Sequence, residues 1–368
     1  MLRILVANIP LPGNRFLVDL NAALERHVDL THDPEAFWNM AGDYDVMHLH
    51  FPEYMTYEIQ DAYIHALSDE LIAAIEKRLQ YWSEVAVLVI TRHNLLPHDA
   101  LYNPQWEKLY EKVYRYVDGV VHFAEPSIEE FRKRYAGTPF VHGHPEHCVV
   151  PHHNYAFLPN RIGHDEARRL LGVDSNANVL LVFGAIRNDE ERDLILNSFR
   201  RLRVPGKVLL VSCWKEKLAK VSWIRMKCWL RDLTRLYYRL HPQYRFNYGF
   251  VEEGDIQIYL NAADVLLIPR FHVLNSGNVT MGMTFGKVVV GPDSLNVGHL
   301  LKTTGNVTFD PDRTETAAAA IEQAMELVRA NQVGPANRQK ALTEWSAAQC
   351  ADQYVAFFKK LLQKRFII

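Results

Sequence analysis

The chain has 368 residues and a formal net charge of −2 at neutral pH. Hydrophobic residues make up 48% and charged residues 23%, a balance that excludes an intrinsically disordered chain. The charge provides no global basic field for a nucleic-acid partner. Because one hydrophobic core rarely serves so long a chain, we predict two domains.

The first half of the chain alternates short apolar runs with longer helical patterns. The predicted strands are Leu2–Asn8, Val46–His50, Val85–Thr91, Gly119–Phe123 and His147–Val150. The predicted helices are Phe16–Glu25, Ala62–Trp82, Pro104–Val117 and Pro126–Tyr135. This alternation predicts parallel strands with helices on both faces of the sheet.

The same alternation starts again in the second half, after a predicted linker at Tyr155–Ile162. The predicted strands are Val179–Gly184, Lys207–Val211, Val265–Pro269, Lys287–Gly291 and Val307–Asp310. The predicted helices are Glu190–Leu202, Asp255–Ala262, Asn278–Phe285, Glu315–Ala330 and Trp345–Arg365. We therefore expect an α/β protein with two doubly wound, Rossmann-like domains, residues 1–155 and 160–344, that face a cleft.

A loop of small polar residues precedes the predicted helix at Asn278–Phe285. It contains Ser276 and Gly277, and it would present free backbone amides and the positive end of the helix dipole. That arrangement suits a diphosphate, although a capped helix without a ligand fits the spacing equally well. Gly184 and Arg187 follow another predicted strand, where the arginine could bind phosphate oxygens or pair with nearby acids.

Histidines lie at or just after the carboxyl ends of three predicted strands of the first half. They lie in the segments 48–53, 91–98 and 149–155, and the first segment also contains Glu53. The carboxyl ends of parallel strands share one edge of a sheet, so these side chains are expected to converge on a site. Five histidines also fall within 142–153, but their spacing matches no standard zinc pattern, and we expect no metal or other cofactor.

The segment Trp214–Leu240 is basic and aromatic. As a helix it would carry an apolar stripe and a basic face, which is typical of a solvated surface helix or of contact with anionic lipid head groups or a lipid-diphosphate acceptor. The amino-terminal apolar run is cut short by two prolines, and no other stretch reaches membrane-spanning length without charges. We expect a cytoplasmic protein that can touch the inner face of the membrane.

Taken together, these motifs resemble the bacterial GT-B glycosyltransferases of the group-one type, particularly those of exopolysaccharide or glycolipid assembly. The resemblance runs through nearly the whole chain. The segments that carry it are His48–Glu53, Thr91–His98, Val117–His122, Val150–Tyr155, Phe183–Arg187, Ala262–Pro269 and Ser276–Val290.

The resemblance implies that the second domain binds a nucleotide-sugar and the first binds a glycan or lipid-linked acceptor. It also implies that the terminal helix, 345–368, crosses back to the first domain. The implied donor-binding residues are Gly184, Arg187, Arg270, Ser276, Gly277, Asn278 and Val279. The candidate catalytic residues are His93 and Glu53, and the candidate acceptor-binding residues are His50, His98, His152 and Asn154.

The chain differs from this family at three positions. Many retaining relatives carry glutamates where Val273 and Met281 stand, and a phosphate-binding lysine near Glu190. Retaining and inverting hexosyl transfer therefore both stay open. Two alternatives to transfer also remain: epimerisation of a sugar nucleotide, and carbohydrate binding without catalysis.

Overall fold

The chain divides into two compact units. In a computed structural model, the described residues are 1–64, 66–97, 103–215, 224–271 and 273–366. One unit comprises Met1–His153 with Trp345–Ile368, and the other comprises Asn154–Glu344. The chain thus changes unit at the start of the predicted linker and again just before its last helix.

The first unit is built on a six-stranded parallel sheet in the order β2-β1-β3-β4-β5-β6. Its strands are β1 Arg3–Val6, β2 Asp29–His32, β3 Val46–Leu49, β4 Val87–Thr91, β5 Gly119–His122 and β6 Glu146–Val149. Its first six helices are α1 Arg15–Leu24, α2 Pro34–Asn39, α3 Tyr57–Ile64, α4 Asp69–Val85, α5 Pro104–Tyr116 and α6 Pro126–Arg134.

The second unit repeats this design with the strand order β12-β11-β10-β7-β8-β9, again parallel throughout. Its strands are β7 Asn178–Ala185, β8 Lys207–Cys213, β9 Tyr244–Phe246, β10 Val265–Leu267, β11 Val288–Pro292 and β12 Val307–Phe309. Its helices are α7 His164–Leu170, α8 Asp189–Arg201, α9 Ile224–Leu240, α10 Ile256–Ala262, α11 Gly277–Thr284, α12 Leu295–Thr303, α13 Thr316–Ala330 and α14 Val333–Glu344.

Helix α15 (Ala347–Phe366) covers one face of the first unit's sheet. It packs against α1, and the hydroxyl of Tyr354 lies 3.0 Å from Oγ1 of Thr91 at the end of β4. Gly119 permits the close approach, since a Cβ there would stand 2.6 Å from Cδ1 of Leu361. The opposite face is covered by a separate apolar cluster that includes Trp82 and Leu88.

The structure corrects the sequence prediction in several places, and it adds the helices α2, α7, α12 and α14, which were not predicted. The predicted helix Ala62–Trp82 is wrong, because α3 and α4 are separate helices and Ser68 caps the second by accepting from the amide of Leu71 at 3.2 Å. The strands β2 and β9 were not predicted. Both lie at sheet edges and are short and polar, so their sequences lack the apolar run of a central strand.

We expect Phe358→Ala to lower the free energy of unfolding by about 3–5 kcal/mol, because the side chain is fully buried between α15 and the sheet. Urea unfolding followed by circular dichroism measures the change. The neighbouring exposed position gives the control, Lys359→Ala, which should leave the midpoint in place. An equal effect of both variants would contradict the docking of α15.

Candidate functional site

Gly184, next to the last residue of β7, has a backbone conformation that favours glycine. Its φ is +90°, and its amide donates to Oγ of Ser212 at 2.8 Å. A Cβ on this residue would stand 3.7 Å from Nδ2 of Asn278 and 3.9 Å from Nη2 of Arg270. Three of the predicted donor-binding residues therefore meet at the carboxyl end of β7.

Helix α11 begins beside this turn. Ser276 is its N-cap, but the side chain makes no capping bond, and Ser276, Gly277 and Asn278 are all partly exposed. Asn278 ties the helix to β7 by donating from Nδ2 to the carbonyl of Phe183 at 2.7 Å. Val279 differs, because its side chain is buried and its amide already donates to the carbonyl of Ser276 at 3.0 Å. The positive end of the helix dipole thus lies next to Gly184.

Two arginines add positive charge to this edge. Arg187 is exposed after β7, whereas the side chain of Arg270 is only 11% exposed. Burial, followed by the positive charge of Arg187, lowers the pKa of Arg270 to about 10, and Glu191 acts in the opposite direction. Two like charges lie close together here, and one of them is poorly hydrated. A bound polyanion would offset their mutual repulsion.

The carboxylate that counters these charges is Glu191, not Glu190. Glu191 is buried, accepts from the amide of Arg187 at 2.9 Å, and has Oε1 3.9 Å from Nε of Arg270. Glu190 lies exposed in the first turn of α8. Glu191 therefore faces the guanidinium of Arg270 and holds the backbone of Arg187, so that two arginines share this edge with one buried carboxylate.

The positions at which retaining relatives carry glutamates are apolar in structure as well as in sequence. Val273 is 7% exposed and Met281 is 3% exposed, and both belong to the buried core. Neither side chain can accept a hydrogen bond as a carboxylate would. Any sugar held at this edge must therefore be oriented by other groups.

The first unit places histidines at the carboxyl edge of its own sheet. Nε2 of His48 lies 2.9 Å from Oγ1 of Thr91, the hydroxyl that also meets Tyr354 of α15. Nδ1 of His50 lies 3.1 Å from Nε2 of His93, so one of these neutral rings donates to the other. His48 and His50 are buried, and His93 is partly exposed.

Phe16, at the start of α1, is the aromatic centre of this cluster and was not predicted as a site residue. Its ring stacks on His153 at 4.8 Å and meets the rings of His93 at 5.0 Å and His152 at 4.7 Å. His152 is partly exposed, and His153 is buried. An aromatic residue soon after the first Pro-Gly loop is the signal that could have indicated this role.

Asn8 is a second residue that the sequence analysis missed. It is fully buried, accepts the amide of His50 at 2.9 Å and donates to the carbonyl of Phe51 at 2.9 Å. The ring of Phe51 in turn stacks on His93 with centroids 4.1 Å apart. Asn8 therefore fixes the chain after β3 and, through Phe51, the position of His93.

The remaining predicted residues of the first domain lie apart from this histidine pair. Glu53 is 4% exposed, and its carboxylate accepts from the hydroxyl of Tyr110 at 2.6 Å; burial raises its pKa. Asn154 belongs to the second unit, where it donates to the carbonyl of Ala341 at 2.8 Å. His98 lies outside the described residues.

Burial keeps the clustered histidines uncharged. It lowers the pKa of His48 and of His152 to about 3, and those of His50 and His93 well below the usual range. Across the described part of the chain, no group of three or more His, Cys, Asp or Glu side chains is arranged to hold a metal ion. At neutral pH the cluster can exchange protons with a bound hydroxyl but carries no charge of its own.

Comparison with known proteins gives a fold but no close relative. No protein-family model and no curated protein sequence matches the chain. Sucrose-phosphate synthase from Thermosynechococcus elongatus is 13% identical with a TM-score of 0.65, and covers 99% of this chain and 100% of its own. HepE of Anabaena, in a complex with UDP and glucose, is 13% identical with a TM-score of 0.66, over 98% of this chain and 100% of its own.

A third similar structure is α,α-trehalose 6-phosphate synthase from Burkholderia multivorans. It is 13% identical with a TM-score of 0.60, over 95% of this chain and 76% of its own. The two six-stranded parallel sheets match these structures, and the α/β GT-B fold expected from the sequence is confirmed.

The buried histidines should make the first unit sensitive to mild acid. Unfolded histidines bind protons near pH 6.5, but His48 and His152 resist protonation down to about pH 3 and His122 to about pH 2. The unfolded state therefore binds more protons below pH 6.5, and the free energy of unfolding should fall from there towards pH 3. Each such histidine contributes up to about 1.4 kcal/mol per pH unit.

Urea unfolding at pH 7.5, 6.5, 5.5 and 4.5 measures this slope. His122→Asn removes one buried imidazole and should make the slope shallower by about one proton. The exposed Leu170→Asn changes no titratable group, so it is the control and should leave the slope as it is. A free energy of unfolding that is flat across this range would contradict the neutral, buried cluster.

Proposed function

We propose that the protein is a glycosyltransferase that transfers a hexose from a nucleotide-sugar to a glycan or lipid-linked acceptor, in the assembly of a cell-surface polysaccharide. The observation that carries the proposal is the positive edge of the second unit. There the turn at Gly184, the open N-terminus of α11 and two arginines come together. This set of donors suits the diphosphate of a nucleotide-sugar.

The fold comparison supports the same donor class. The HepE structures, which share the fold, are described in complexes with UDP, with UDP and glucose, and with UDP-glucose. We propose that the diphosphate of the donor lies over the amides of Ser276, Gly277 and Asn278. Arg187 and Arg270 would then stabilise the charge that develops as the diphosphate leaves.

The chemistry consists of one substitution at the anomeric carbon of the donor. An acceptor hydroxyl oxygen forms the new bond to that carbon, and the bond from the carbon to the diphosphate oxygen breaks. In an inverting reaction the hydroxyl proton would pass to His93, the partly exposed member of the histidine pair. In a retaining reaction the departing phosphate would take the proton instead.

Glu53 suits a supporting role better than that of the base. Its carboxylate is buried and already accepts from Tyr110, so it holds the segment after β3 against α5. His50 and His152 adjoin His93 or share the ring of Phe16 with it, and would line the acceptor side. Asn154 and His98 stay predictions that await a ligand.

A nucleoside diphosphate should stabilise the protein against heat. A nucleotide concentration 100-fold above Kd raises the free energy of unfolding by about 2.7 kcal/mol. That gain corresponds to an increase of roughly 5–10 °C in the melting temperature of a unit of this size. Arg187→Ala should abolish most of the shift, and so should Gly184→Ala, whose methyl group would enter the site in a strained backbone conformation. Arg201→Ala, at the other end of α8, is the control.

Differential scanning fluorimetry with UDP, ADP, GDP and their sugar conjugates gives the measurement. Stabilisation by no nucleotide or nucleotide-sugar would count against the donor site. If a nucleotide stabilises the protein, product analysis decides the reaction. Sugar transfer releases a nucleoside diphosphate, whereas an epimerase converts the donor to another nucleotide-sugar without acceptor, and a carbohydrate-binding protein does neither.

Replacing His93 should separate proton transfer from donor binding. If His93 is the general base, His93→Ala should lower kcat about 10²–10⁴-fold. The melting shift with the nucleoside diphosphate should persist, because His93 belongs to the first unit and the donor residues described above belong to the second. His164→Ala is the control. An unchanged kcat would contradict the role of His93 as base and favour proton transfer to the donor phosphate.

A further inference from the structure

Helix α9 of the second unit turns its apolar stripe outward. A surface helix normally buries the apolar face and exposes the polar one. Here large apolar side chains with exposed fractions between 43% and 73% recur along one side of the helix, each with another of the set three or four residues away. They are Trp229 (61%), Leu233 (43%), Leu236 (48%), Tyr237 (56%) and Leu240 (73%). At about 100° per residue, these five positions span an arc of about 100°.

The opposite side of the helix attaches it to the unit. Tyr238 is only 8% exposed, and its ring packs against Phe246 at 4.7 Å and Tyr244 at 5.0 Å. The guanidinium of Arg235 lies 4.5 Å from the centre of the ring of Tyr248. The helix is therefore docked through an aromatic and cationic face, and the exposed apolar stripe is not needed to hold it.

The helix and the segment before it are rich in basic residues. The sequence of residues 215–240 contains eight basic and two acidic residues, in a chain whose net charge is −2. A groove of about 940 Å³ beside the helix is lined by Arg235, Arg239, Arg245, Tyr238 and Tyr248, together with Asp232. Arg239 is exposed at the border of the stripe.

We infer that α9 docks the protein on a bilayer surface that contains anionic lipid. The exposed tryptophan and leucines would enter the boundary between head groups and acyl chains, and the exposed Arg239 at the border of the stripe would meet a lipid phosphate. A second copy of the chain is the poorer occupant, because a two-fold contact would bring the same basic patch against itself. No helix in the described residues has the length and apolar composition to cross a bilayer, so the contact lies at the surface.

Co-sedimentation with vesicles tests this inference on the full chain. The probes are vesicles of phosphatidylcholine alone and vesicles with 30% phosphatidylglycerol, at 0.1 M salt. We expect at least tenfold tighter binding to the anionic vesicles, weakened at least tenfold by Leu233→Glu and several-fold by Arg239→Glu. Leu170→Glu is the matched control: Leu170 ends α7 of the same unit, is similarly exposed at 49%, and its replacement should leave binding unchanged.

Two results would overturn the inference. One is equal sedimentation of the unaltered protein and Leu233→Glu with anionic vesicles, or no binding at all. The other is a self-association in analytical ultracentrifugation that Leu233→Glu abolishes while vesicle binding is absent, which would assign the stripe to a second copy. Circular dichroism confirms that each variant is folded. The melting shift with a nucleoside diphosphate is a separate readout, so failure here leaves the proposed transfer reaction untouched.

Discussion

Every described strand runs parallel to its neighbours, and the rest of the structure follows from that constraint. A parallel strand cannot return by a tight turn, so the chain leaves each carboxyl end, crosses the sheet as a helix and comes back to the opposite edge. All loops after the strands consequently gather at one edge, and both faces of the sheet are covered by apolar helices. Polar side chains at the strand ends are brought together by connectivity rather than by attraction for one another.

The carboxyl edges of the two sheets differ in their electrostatic character. In the first unit, this edge is lined by uncharged histidines and aromatic rings. The hydroxyl groups of Thr91 and Tyr354 support His48 there through hydrogen bonds. The second leaves it polar and positive, with glycine at the turn and arginines beside a helix start. The neutral edge suits hydroxyl groups and sugar faces, and the positive edge suits phosphates. The proposal above, with the acceptor on one unit and the donor on the other, is built on this division of chemistry.

The sequence was informative wherever one residue type decides the local structure. Buried central strands are continuous apolar runs, and Gly184 and Ser276 mark a turn and a helix start, so the fold class and the places of that turn and helix could be predicted. Contacts between distant segments could not. Asn8 supports the loop after β3 from 42 residues away in the chain, and Glu191 rather than Glu190 points inward. Both outcomes depend on packing, which local sequence does not encode.

The discontinuity of the first unit affects the order in which the protein can form. Residues 154–344 lie between the main part of that unit and α15. On the ribosome, the whole second unit is therefore made before the helix that covers β4 and β5 emerges. Until then Val87, Val89 and the other apolar residues of that face lack their cover. The first unit, although synthesised first, can therefore complete its folding only at the end of synthesis. A nascent chain stalled before residue 347 would expose this apolar face to chaperones.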